Sequence, residues 1–486
     1  MSYYFAMYKF LPTLLVLLLL ISGCATNPVT GEQDLVLMSE QEEIALGRQT
    51  HQEVLQQYKV YEDPDLQAYV QSVGEQLAAK SHRSDLIYRF TVLDSKEVNA
   101  FALPGGYIYI TRGLMAYLNS EAELAAVLGH EIGHVTARHS VRQYSAAQAA
   151  NVGLIIGSIL TGVGQTGAQL GQIFGTVLLR GYGREHELEA DQLGAEYLAR
   201  SNYDPQAMME VIRVLKNQEE LEKKVAKAEG REPNIYHGLF ATHPDNDTRL
   251  KETIASAEKH KSSAATLTGR ETYLHKIDGM IFGDSPYEGI VRGRNFYHPD
   301  LGIAMQLPAG WHVRNLPTQL LAISPEGKAT LQVEVMDINK RISPKEFIAT
   351  RLNIKELGSG TALTIHGNEA YTGIATINNK PVRVTVIYLD TRAYIFGGLC
   401  KDCKLFAKFD TQFLDTAKSF HRMTAGEQEV AKPLRIYIVQ AEAGTTYSQL
   451  AKNSPLKNFP EEQLRLINDM FPTGQPQTGA LLKLLQ

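Results

Sequence analysis

The sequence has little cysteine, little net charge and no evident internal repeat. Its 486 residues include only three cysteines, so at most one intrachain disulfide can form. The formal net charge of −5 is small for this length and gives no reason to expect a nucleic-acid partner. With 44% hydrophobic and 21% charged residues, the composition is that of a globular chain. At about 150 residues per domain, the length indicates roughly three domains.

Residues 1–23 are predicted to be a signal peptide. A basic residue precedes an apolar run at residues 10–21, which is too short for a comfortable membrane span. Residues 21–24, Ile-Ser-Gly-Cys, resemble a bacterial lipobox, which implies cleavage before Cys24 and acylation of its thiol. An ordinary signal peptide or an uncleaved anchor is the alternative. Because Ala25 and not Asp follows the cysteine, we expect a periplasmic protein anchored by its lipid to the outer membrane.

The other two cysteines, Cys400 and Cys403, are separated by two residues. An exported compartment is oxidising, so these two residues can form a disulfide. A redox-active Cys-x-x-Cys motif is less favoured because no thioredoxin-like βαβ pattern surrounds it. A pair of zinc ligands is less favoured still, because no second Cys or His pair stands nearby.

An HExxH motif lies within a predicted helix. A capping box formed by Ser120 and Glu123 indicates where that helix begins. Helix positions four apart share one face, so His130 and His134 can bind the same ion. Glu131 lies beside them, where it can act as the general base for water. An ordinary amphipathic helix is the alternative interpretation.

A third histidine of the metzincin kind is missing from this motif, because Ser140 occupies that position. His139 comes one residue earlier, near the predicted end of the helix and on a different face. We therefore interpret His139 as structural and expect the third ligand elsewhere in the chain.

A second acidic helix can supply that ligand. Glu187 and Asp191 are four residues apart and face the same way, so Glu187 can bind the metal while Asp191 accepts the N–H of a liganding imidazole. A solvated acidic face is the alternative, and it is the preferred interpretation of Glu185 and Glu189. His186 is a rival ligand, but its side chain points about 100° away from Glu187 around the helix.

Taken together, the motifs resemble a known peptidase family. HExxH is followed by Arg-x-x-Glu-x-x-Ala-Asp at residues 184–191, and then by a His-Pro pair at His243 with Arg249 six residues on. Residues 99–106 fit the same pattern, which resembles the HtpX-like and CAAX-prenyl-protease-type zinc metallopeptidases, especially the soluble periplasmic BepA-type members. The match covers residues 35–260 and implies a gluzincin fold with one Zn²⁺ per chain. The ligands that it implies are His130, His134 and Glu187.

The resemblance also implies a role for His243 at the metal. The imidazole could fill the open coordination position and keep the enzyme latent, or it could donate a hydrogen bond to the oxyanion. A histidine that caps the next helix is the structural alternative. We favour the latent form, because a peptidase among folded envelope proteins needs restraint.

Substrate is expected to bind at a predicted strand over residues 105–111. This strand is interpreted as a sheet edge, along which extended substrate would form main-chain hydrogen bonds. Such binding reads the backbone more than the side chains and suits unfolded polypeptides. The predicted substrate-binding residues are Gly105, Gly106, Tyr107, Ile108 and Arg249.

Residues 143–179 contain no charged side chain and many glycines. The polar and glycine-rich middle of this segment leaves apolar pieces that are too short to cross a membrane. Two helices joined by a loop fit better. They could form a buried hairpin or a flap that faces membrane or substrate.

The expected fold class is α+β, with a mostly helical zincin metallopeptidase domain that contains a small sheet. A tether at 24–38 leads into this domain at 39–265. An α+β domain at 285–424, to which no chemistry is assigned, follows it. Residues 433–486 resemble a βααβ LysM module, which implies peptidoglycan binding, and a docking role is the alternative.

The leading hypothesis is therefore a zinc-dependent endopeptidase of the bacterial cell envelope. Its expected substrates are misfolded or misassembled envelope and outer-membrane proteins, and its C-terminal module is expected to contact peptidoglycan or an assembly machine. The rival hypothesis is a periplasmic chaperone or assembly factor that has the same fold and little proteolytic activity.

Overall fold

A computed structural model describes residues 24–36, 38–146, 183–229, 267–316 and 319–486, together with isolated positions between 233 and 259. These residues fall into two compact units. The first lies within Met1–Glu220, Ile235–Met280 and Ile436–Leu484, and the second within Leu221–Asn234, Ile281–Arg435 and Leu485–Gln486. In the described part of the chain, no helix combines the length and the apolar character that a membrane span requires.

The first unit begins with a small β-hairpin inside the segment predicted as a tether. Strand β1 (Cys24–Thr26) pairs antiparallel with β2 (Gln33–Leu35). The side-chain oxygen of Asn27 accepts hydrogen bonds from the N–H groups of Val29 and Thr30, which closes the turn. Helices α1 (Glu40–Gln57) and α2 (Pro64–Ala78) follow.

A three-stranded sheet comes next, in the order β3-β5-β4. Strands β3 (Arg89–Leu93) and β5 (Tyr107–Thr111) are parallel, and β4 (Ala100–Leu103) is antiparallel to β5. Two glutamines of α2 cover the outer side of β3: Gln71 accepts from Phe90 N–H, and Gln67 accepts from Val92 N–H, each at 2.9 Å. These side chains satisfy main-chain groups that another strand would otherwise bind.

Helices α3 (Arg112–Met115) and α4 (Glu121–Thr136) follow and are almost entirely buried. The next described helices are α5 (Arg184–Arg200), α6 (Ala207–Glu229), whose residues from Leu221 onward belong to the second unit, and α7 (Arg270–Lys276). Helix α4 begins at Ser120, whose side-chain oxygen accepts from Glu123 N–H at 3.1 Å. Glu123 in turn accepts from Asn119 N–H at 2.8 Å. Ser120 therefore caps the helix as predicted, but the predicted capping box is only half formed, because the side chain of Glu123 accepts from the N–H of Asn119 instead of that of Ser120.

Residues near the C-terminus belong to this first unit. Strand β18 (Leu434–Gln440), helices α11 (Tyr447–Lys452) and α12 (Pro460–Ile467), and strand β19 (Leu481–Leu485) follow the expected βααβ order. Lys483 in β19 is fully buried, and its Nζ donates to the carbonyl oxygens of Ala116 and Leu118, both at 2.8 Å. Residues 436–484 are thus joined to the segment that leads into α4. Glycan binding by this module stays a prediction.

Burial works against both charges at this helix start. It lowers the pKa of Lys483, which the carboxyl of Glu123 opposes. Burial also raises the pKa of Glu123. Removing either partner would leave the other as an uncompensated buried group.

The second unit is built on a seven-stranded antiparallel sheet with a helix on each face. Alternation along β16 separates the two faces, because Tyr394 and Phe396 pack with Phe413 of α9, whereas Ala393 packs with Phe347 of α8. A four-stranded sheet of order β17-β9-β8-β7 belongs to the same unit. The bounds are β6 (Ile281–Phe282), β7 (Ile290–Arg292), β8 (Asn295–His298), β9 (Ile303–Gln306), β10 (His312–Leu316), β11 (Gln319–Ile323), β12 (Ala329–Asp337), α8 (Pro344–Thr350), β13 (Gly358–Ile365), β14 (Asn368–Ile377), β15 (Lys380–Leu389), β16 (Arg392–Cys400), α9 (Phe406–Lys418), β17 (His421–Arg422) and α10 (Ala425–Val430).

Candidate metal centre

The HExxH motif lies in the C-terminal half of α4, where every side chain is buried. His130, Glu131 and His134 are 1%, 2% and 3% exposed. One helical turn separates the two imidazoles, whose ring centroids lie 4.7 Å apart. The helix therefore presents both rings on one face, as the spacing predicted.

Glycines allow α5 to approach α4 closely. A Cβ on Gly133 would lie 2.9 Å from the carbonyl oxygen of Ala190, and a Cβ on Gly194 would lie 2.9 Å from the backbone nitrogen of His130. A Cβ on Gly129 would lie 3.0 Å from Leu198 Cδ1. Such short separations leave no room for larger residues at the crossing. The carboxylates of α5 consequently reach the imidazoles of α4.

His130, His134 and Glu187 form a group suited to a metal ion. His130 Nε2 lies 3.0 Å from His134 Nε2, and Glu187 Oε2 lies 3.4 Å and 3.9 Å from these two nitrogens. Among the residues that the structure describes, no other set of three His, Cys, Asp or Glu side chains converges in this way.

The donor set fits zinc. Bonds of about 2.05 Å in tetrahedral geometry put neighbouring ligand atoms roughly 3.3 Å apart. Burial works against a charged His130, but hydrogen bonds to Asp191 and Glu187 outweigh it and raise the pKa of His130 well above its usual value. The same negative field favours a divalent cation at this place. Two imidazoles and one carboxylate are a common ligand set of catalytic zinc.

A carboxylate orients one of the two imidazoles directly. His130 Nδ1 lies 2.8 Å from Asp191 Oδ1, so this nitrogen carries the proton and Nε2 is left with its lone pair toward the metal position. Asp191 therefore lies where its predicted role requires. It stands one helical turn beyond Glu187 on α5, which the four-residue spacing anticipated.

His139 and Glu189 form a second polar contact behind His134. His134 Nδ1 lies 2.8 Å from His139 Nδ1, and His139 Nε2 lies 3.0 Å from Glu189 Oε2. The interpretation of Glu189 as part of a solvated acidic face is wrong, because its carboxylate binds a buried histidine. Glu185 is exposed, as that interpretation expected. His186 is not in the converging group, and it stacks on His139 with ring centroids 4.3 Å apart.

Glu131 is close to the imidazoles but is not one of the converging ligands. Burial raises the pKa of its carboxyl to about 8, with an opposing contribution from His130 and a further increase from Glu187. The position of Glu131 beside the imidazoles suits a general base, which must be deprotonated to accept a proton from water.

A buried ion-pair cluster fixes the end of α4. Glu43 of α1 is 1% exposed and accepts from Arg83 Nη1 at 2.7 Å and from Arg138 Nε at 2.9 Å. Arg83 Nη1 also donates to the carbonyl oxygen of Val135 at 3.2 Å. Helix α1 is thereby tied to the last turn of the helix that carries the motif.

The structure corrects the predicted substrate strand. Tyr107 and Ile108 begin β5, directly after the turn that contains Gly105 and Gly106, and β5 has β3 on one side and β4 on the other. The prediction that this strand is a sheet edge is wrong, because both of its sides are already paired. Among the strands that the structure describes, none pairs with β4 on the side that faces away from β5.

Several predicted residues cannot be placed. His243, Arg249 and most of residues 143–179 lie outside the described residues, as do residues 1–23. The side chains of Cys24 and Cys403 are likewise outside them. Cys400 is buried at the end of β16. Lipidation and the Cys400–Cys403 disulfide therefore stay predictions.

Two polar features near α4 were missed from the sequence. The contact between His139 and Glu189 could have been predicted. The sequence shows a histidine five residues after the second histidine of HExxH, and an acidic residue two positions after Glu187. The contact of Lys483 with the carbonyl oxygens before α4 left no local signal, since the partners are 365 and 367 residues apart.

The residues of the candidate site lie in a segment that is similar to known peptidases. Residues 64–256 match Peptidase family M48. The chain is 30% identical to the beta-barrel assembly-enhancing protease of Escherichia coli K12 over 285 residues. The aligned segment covers 56% of this chain and 54% of that protein. Over 258 residues it is 30% identical to the protein of the same name from Yersinia pestis, covering 49% of this chain and 51% of the relative.

A mitochondrial protein is also similar. The mitochondrial metalloendopeptidase OMA1 of Schizosaccharomyces pombe is 29% identical over 184 residues, which cover 38% of this chain and 51% of that protein. The chain thus spans about half the length of the curated relatives it matches. The matched family segment contains both histidines, Glu131, Glu187 and Asp191.

Proposed function

We propose that residues 64–256, which match Peptidase family M48, act as a metalloendopeptidase domain and that the protein uses it to hydrolyse misfolded or misassembled proteins of the bacterial cell envelope. The convergence of His130, His134 and Glu187 beside a buried Glu131 is the observation that carries this proposal. The similarity to beta-barrel assembly-enhancing proteases supports envelope proteins, outer-membrane proteins among them, as the substrate class.

The chemistry divides between the metal position and Glu131. The two histidines and Glu187 would hold a zinc ion, and this ion would supply the Lewis acid needed to activate water and to polarise a peptide carbonyl. Glu131 accepts the proton of the attacking water and delivers it to the leaving amine. Asp191 keeps the Nδ1 proton of His130 in place, so that Nε2 faces the metal position.

We place the bound substrate along β4 instead of β5. Thr111 N–H donates to Asn99 O at 3.0 Å, and partners alternate along an antiparallel pair, so the peptide groups of Ala100 and Ala102 point away from β5. An extended polypeptide added there would run beside α4, against which β4 packs. Both alanines are 4% exposed, so this edge has to be uncovered before substrate can pair with it.

A proline substitution tests this binding mode. Ala102→Pro removes an N–H that points away from β5, so the pairing between β4 and β5 should persist. We expect KM for an unfolded substrate to rise by about 10-fold, as for loss of a main-chain hydrogen bond to substrate, with zinc content unchanged. An unchanged KM would place the substrate elsewhere.

Substitution of the general base tests the enzymatic function. Full-length wild type and Glu131→Gln are incubated with an unfolded β-barrel outer-membrane protein, and cleavage is followed by mass spectrometry alongside zinc analysis. We expect cleavage by wild type and loss of cleavage with normal zinc in Glu131→Gln. Glu53→Gln, an exposed change on α1, is the matched control. Equal cleavage by wild type and Glu131→Gln would remove Glu131 from its proposed role.

The same experiment distinguishes the rival function. A chaperone or assembly factor would keep the substrate soluble without cutting it, and Glu131→Gln would behave like wild type in that assay. The word "assembly-enhancing" in the names of the relatives is what favours this second candidate. Its support is weaker than that for cleavage, because an assembly factor needs no converging imidazoles beside a buried carboxyl.

We further propose that His243 restrains the enzyme by occupying the position where water would enter. His243→Ala should then increase proteolysis. A decrease of about 10²-fold would instead assign His243 as a donor to the oxyanion. Unchanged kinetics with normal zinc content would leave it a capping role.

Location and attachment are also proposed. The lipobox at residues 21–24 supports a periplasmic protein attached to the outer membrane through Cys24, and the C-terminal module supports contact with peptidoglycan. Cys24→Ala should move the protein from the membrane fraction to the soluble fraction, or leave it unprocessed. Full-length protein should sediment with purified peptidoglycan. Failure to do so would favour the alternative of a docking role, which the hydrogen bonds of Lys483 to Ala116 and Leu118 support.

A further inference from the structure

The metal-facing nitrogen of His134 depends on a chain of polar contacts that extends away from the metal position. His134 Nδ1 contacts His139 Nδ1 at 2.8 Å, and His139 Nε2 contacts Glu189 Oε2 at 3.0 Å. Arg142 Nη1 donates to the same carboxylate oxygen at 2.8 Å. We propose that His139 and Glu189 are positioning residues, which fix the tautomer and the orientation of His134 and thereby set the affinity for zinc. This inference rests on the proposed metal site.

Hydrogen-bond chemistry allows one arrangement of protons along these contacts. When His134 Nε2 faces a metal, its proton must be on Nδ1, and it donates to His139 Nδ1. His139 Nδ1 then acts as an acceptor, so the proton of this second ring is on Nε2. That proton is donated to the carboxylate of Glu189. Each hydrogen bond thus requires the next one. Because the carboxylate of Glu189 can only accept, it determines the direction in which all of these hydrogen bonds are donated.

The fold supplies the bend that this arrangement needs. Helix α4 ends at Thr136, and a second helical segment covers residues 139–146. Arg138 in the turn between them has φ of +55°, in the left-handed region that is rare for residues other than glycine. Its guanidinium is held by Glu43 and by the carbonyl oxygen of Met38, at 2.9 and 3.1 Å. The turn brings a residue five positions after His134 back against its ring.

The surroundings leave His139 little freedom to move. The ring is 0% exposed and stacks on His186 at 4.3 Å between centroids. Arg142 balances the charge of Glu189 and also lies 3.5 Å from Asp34 of the N-terminal hairpin. A buried imidazole in contact on both nitrogens has a defined rotamer, which is what a positioning residue must have.

The two liganding histidines therefore have different supports. Asp191 contacts His130 directly, whereas Glu189 reaches His134 only through the ring of His139. Loss of Glu189 should weaken zinc binding less than loss of Asp191. Replacement of an outer partner of a metal ligand typically lowers metal affinity by about 10- to 100-fold.

Zinc affinity of the full-length protein, measured by competition with a chromophoric chelator, tests this inference without any peptidase assay. We expect Glu189→Ala and His139→Ala to bind zinc about 10- to 100-fold more weakly than wild type. Glu189→Gln keeps an oxygen that can accept from His139 Nε2, so it should recover a large part of the affinity. Glu185→Ala, an exposed change on the same helix, is the matched control and should be neutral.

The visible spectrum of the cobalt-substituted protein gives a second readout. A change in ligand orientation alters the d–d bands of Co²⁺, whereas general destabilisation at constant geometry does not. Wild-type affinity and an unchanged cobalt spectrum in both Glu189→Ala and His139→Ala would overturn the inference. If one of these two alanine variants fails to fold, the other decides alone: wild-type zinc affinity with an unchanged cobalt spectrum would assign a purely structural role. Failure of the wild type itself to bind zinc would instead contradict the proposed function.

Discussion

The two ends of helix α4 are both buried and both contain ionisable groups, but they are built from different distances along the chain. At the metal end, the histidines come from one helical turn and the acidic partners from α5, some fifty residues later. At the start of the helix, Ser120 and Glu123 form the cap, and Lys483 binds the two carbonyl oxygens just before it from 365 and 367 residues away. The residues proposed to carry the chemistry thus belong to a recognisable motif. The attachment of the C-terminal module, in contrast, depends on a contact of Lys483 that no sequence motif predicts.

The largest expected effect is a loss of catalytic activity at the metal end of α4, with zinc binding unchanged. Glu131→Gln should lower kcat by about 10³-fold, because the general base is removed. Zinc content should be unchanged, since Glu131 is not one of the converging ligands. Single-turnover cleavage and metal analysis of the same preparation would check both. A loss of zinc together with activity would mean that Glu131 holds the site together.

The next effect concerns the other end of the helix. Lys483→Met removes the donor to the carbonyl oxygens of Ala116 and Leu118 and leaves Glu123 without its opposing charge. We expect the first unit to lose about 3 kcal/mol of stability, while zinc affinity of the folded protein stays the same. Hydrogen exchange of residues 116–136 would report the change.

Two controls make this result specific. Lys452→Met is an exposed change in the same C-terminal module and should be neutral. Trp311, the one tryptophan in the chain, belongs to the core of the second unit. The urea concentration at the midpoint of its fluorescence transition should therefore be the same in all variants. A shift of the tryptophan transition in Lys483→Met would show that the effect is not confined to the first unit.

A smaller effect is expected at the crossing of α4 and α5. Gly133→Ala adds a Cβ that would lie 2.9 Å from the carbonyl oxygen of Ala190, so the helices must separate by a few tenths of an ångström. Zinc affinity should fall by about 10-fold, because Glu187 and Asp191 move with α5. Gly183→Ala, where a Cβ would meet nothing within 4 Å, is the matched control. Equal affinities would show that the site tolerates this shift.

The smallest effect should come from an exposed ion pair between α6 and the C-terminal module. Arg213 of α6 pairs with Asp469, but its side chain is 56% exposed. Arg213→Ala should therefore change stability by less than about 1 kcal/mol. Chemical denaturation followed by circular dichroism would check this. A loss as large as that of Lys483→Met would mean that the exposed pair, and not the buried lysine, attaches the C-terminal module.

Helical spacing explains why much of the candidate site could be predicted. His130 and His134 in one helix, and Glu187 and Asp191 in the next, are pairs four apart, and the structure brings all four together. Periodicity gave no information about which strands pair. Strand β5 is central because β3 joins it in parallel from the other side, and such pairing depends on long-range packing.

Glu189 illustrates a different limit. An acidic residue in the first turns of a helix is usually solvated, and only the bend at Arg138 brings His139 within reach of it. The backbone of one residue in a left-handed conformation therefore changed the interpretation of a side chain fifty positions later. Sequence patterns do not reveal such turns when the residue is not glycine.

The position of Lys483 also orders events in time. Its partner Leu118 lies 365 residues earlier, and the second unit is encoded between them. At a synthesis rate of about 5 to 20 residues per second, the carbonyl oxygens before α4 wait roughly 20 to 70 seconds for this lysine. The segment that leads into the helix with both imidazoles thus receives this hydrogen-bond partner only after the intervening unit has been made, so the buried surroundings of that helix are not complete until Lys483 has been synthesised.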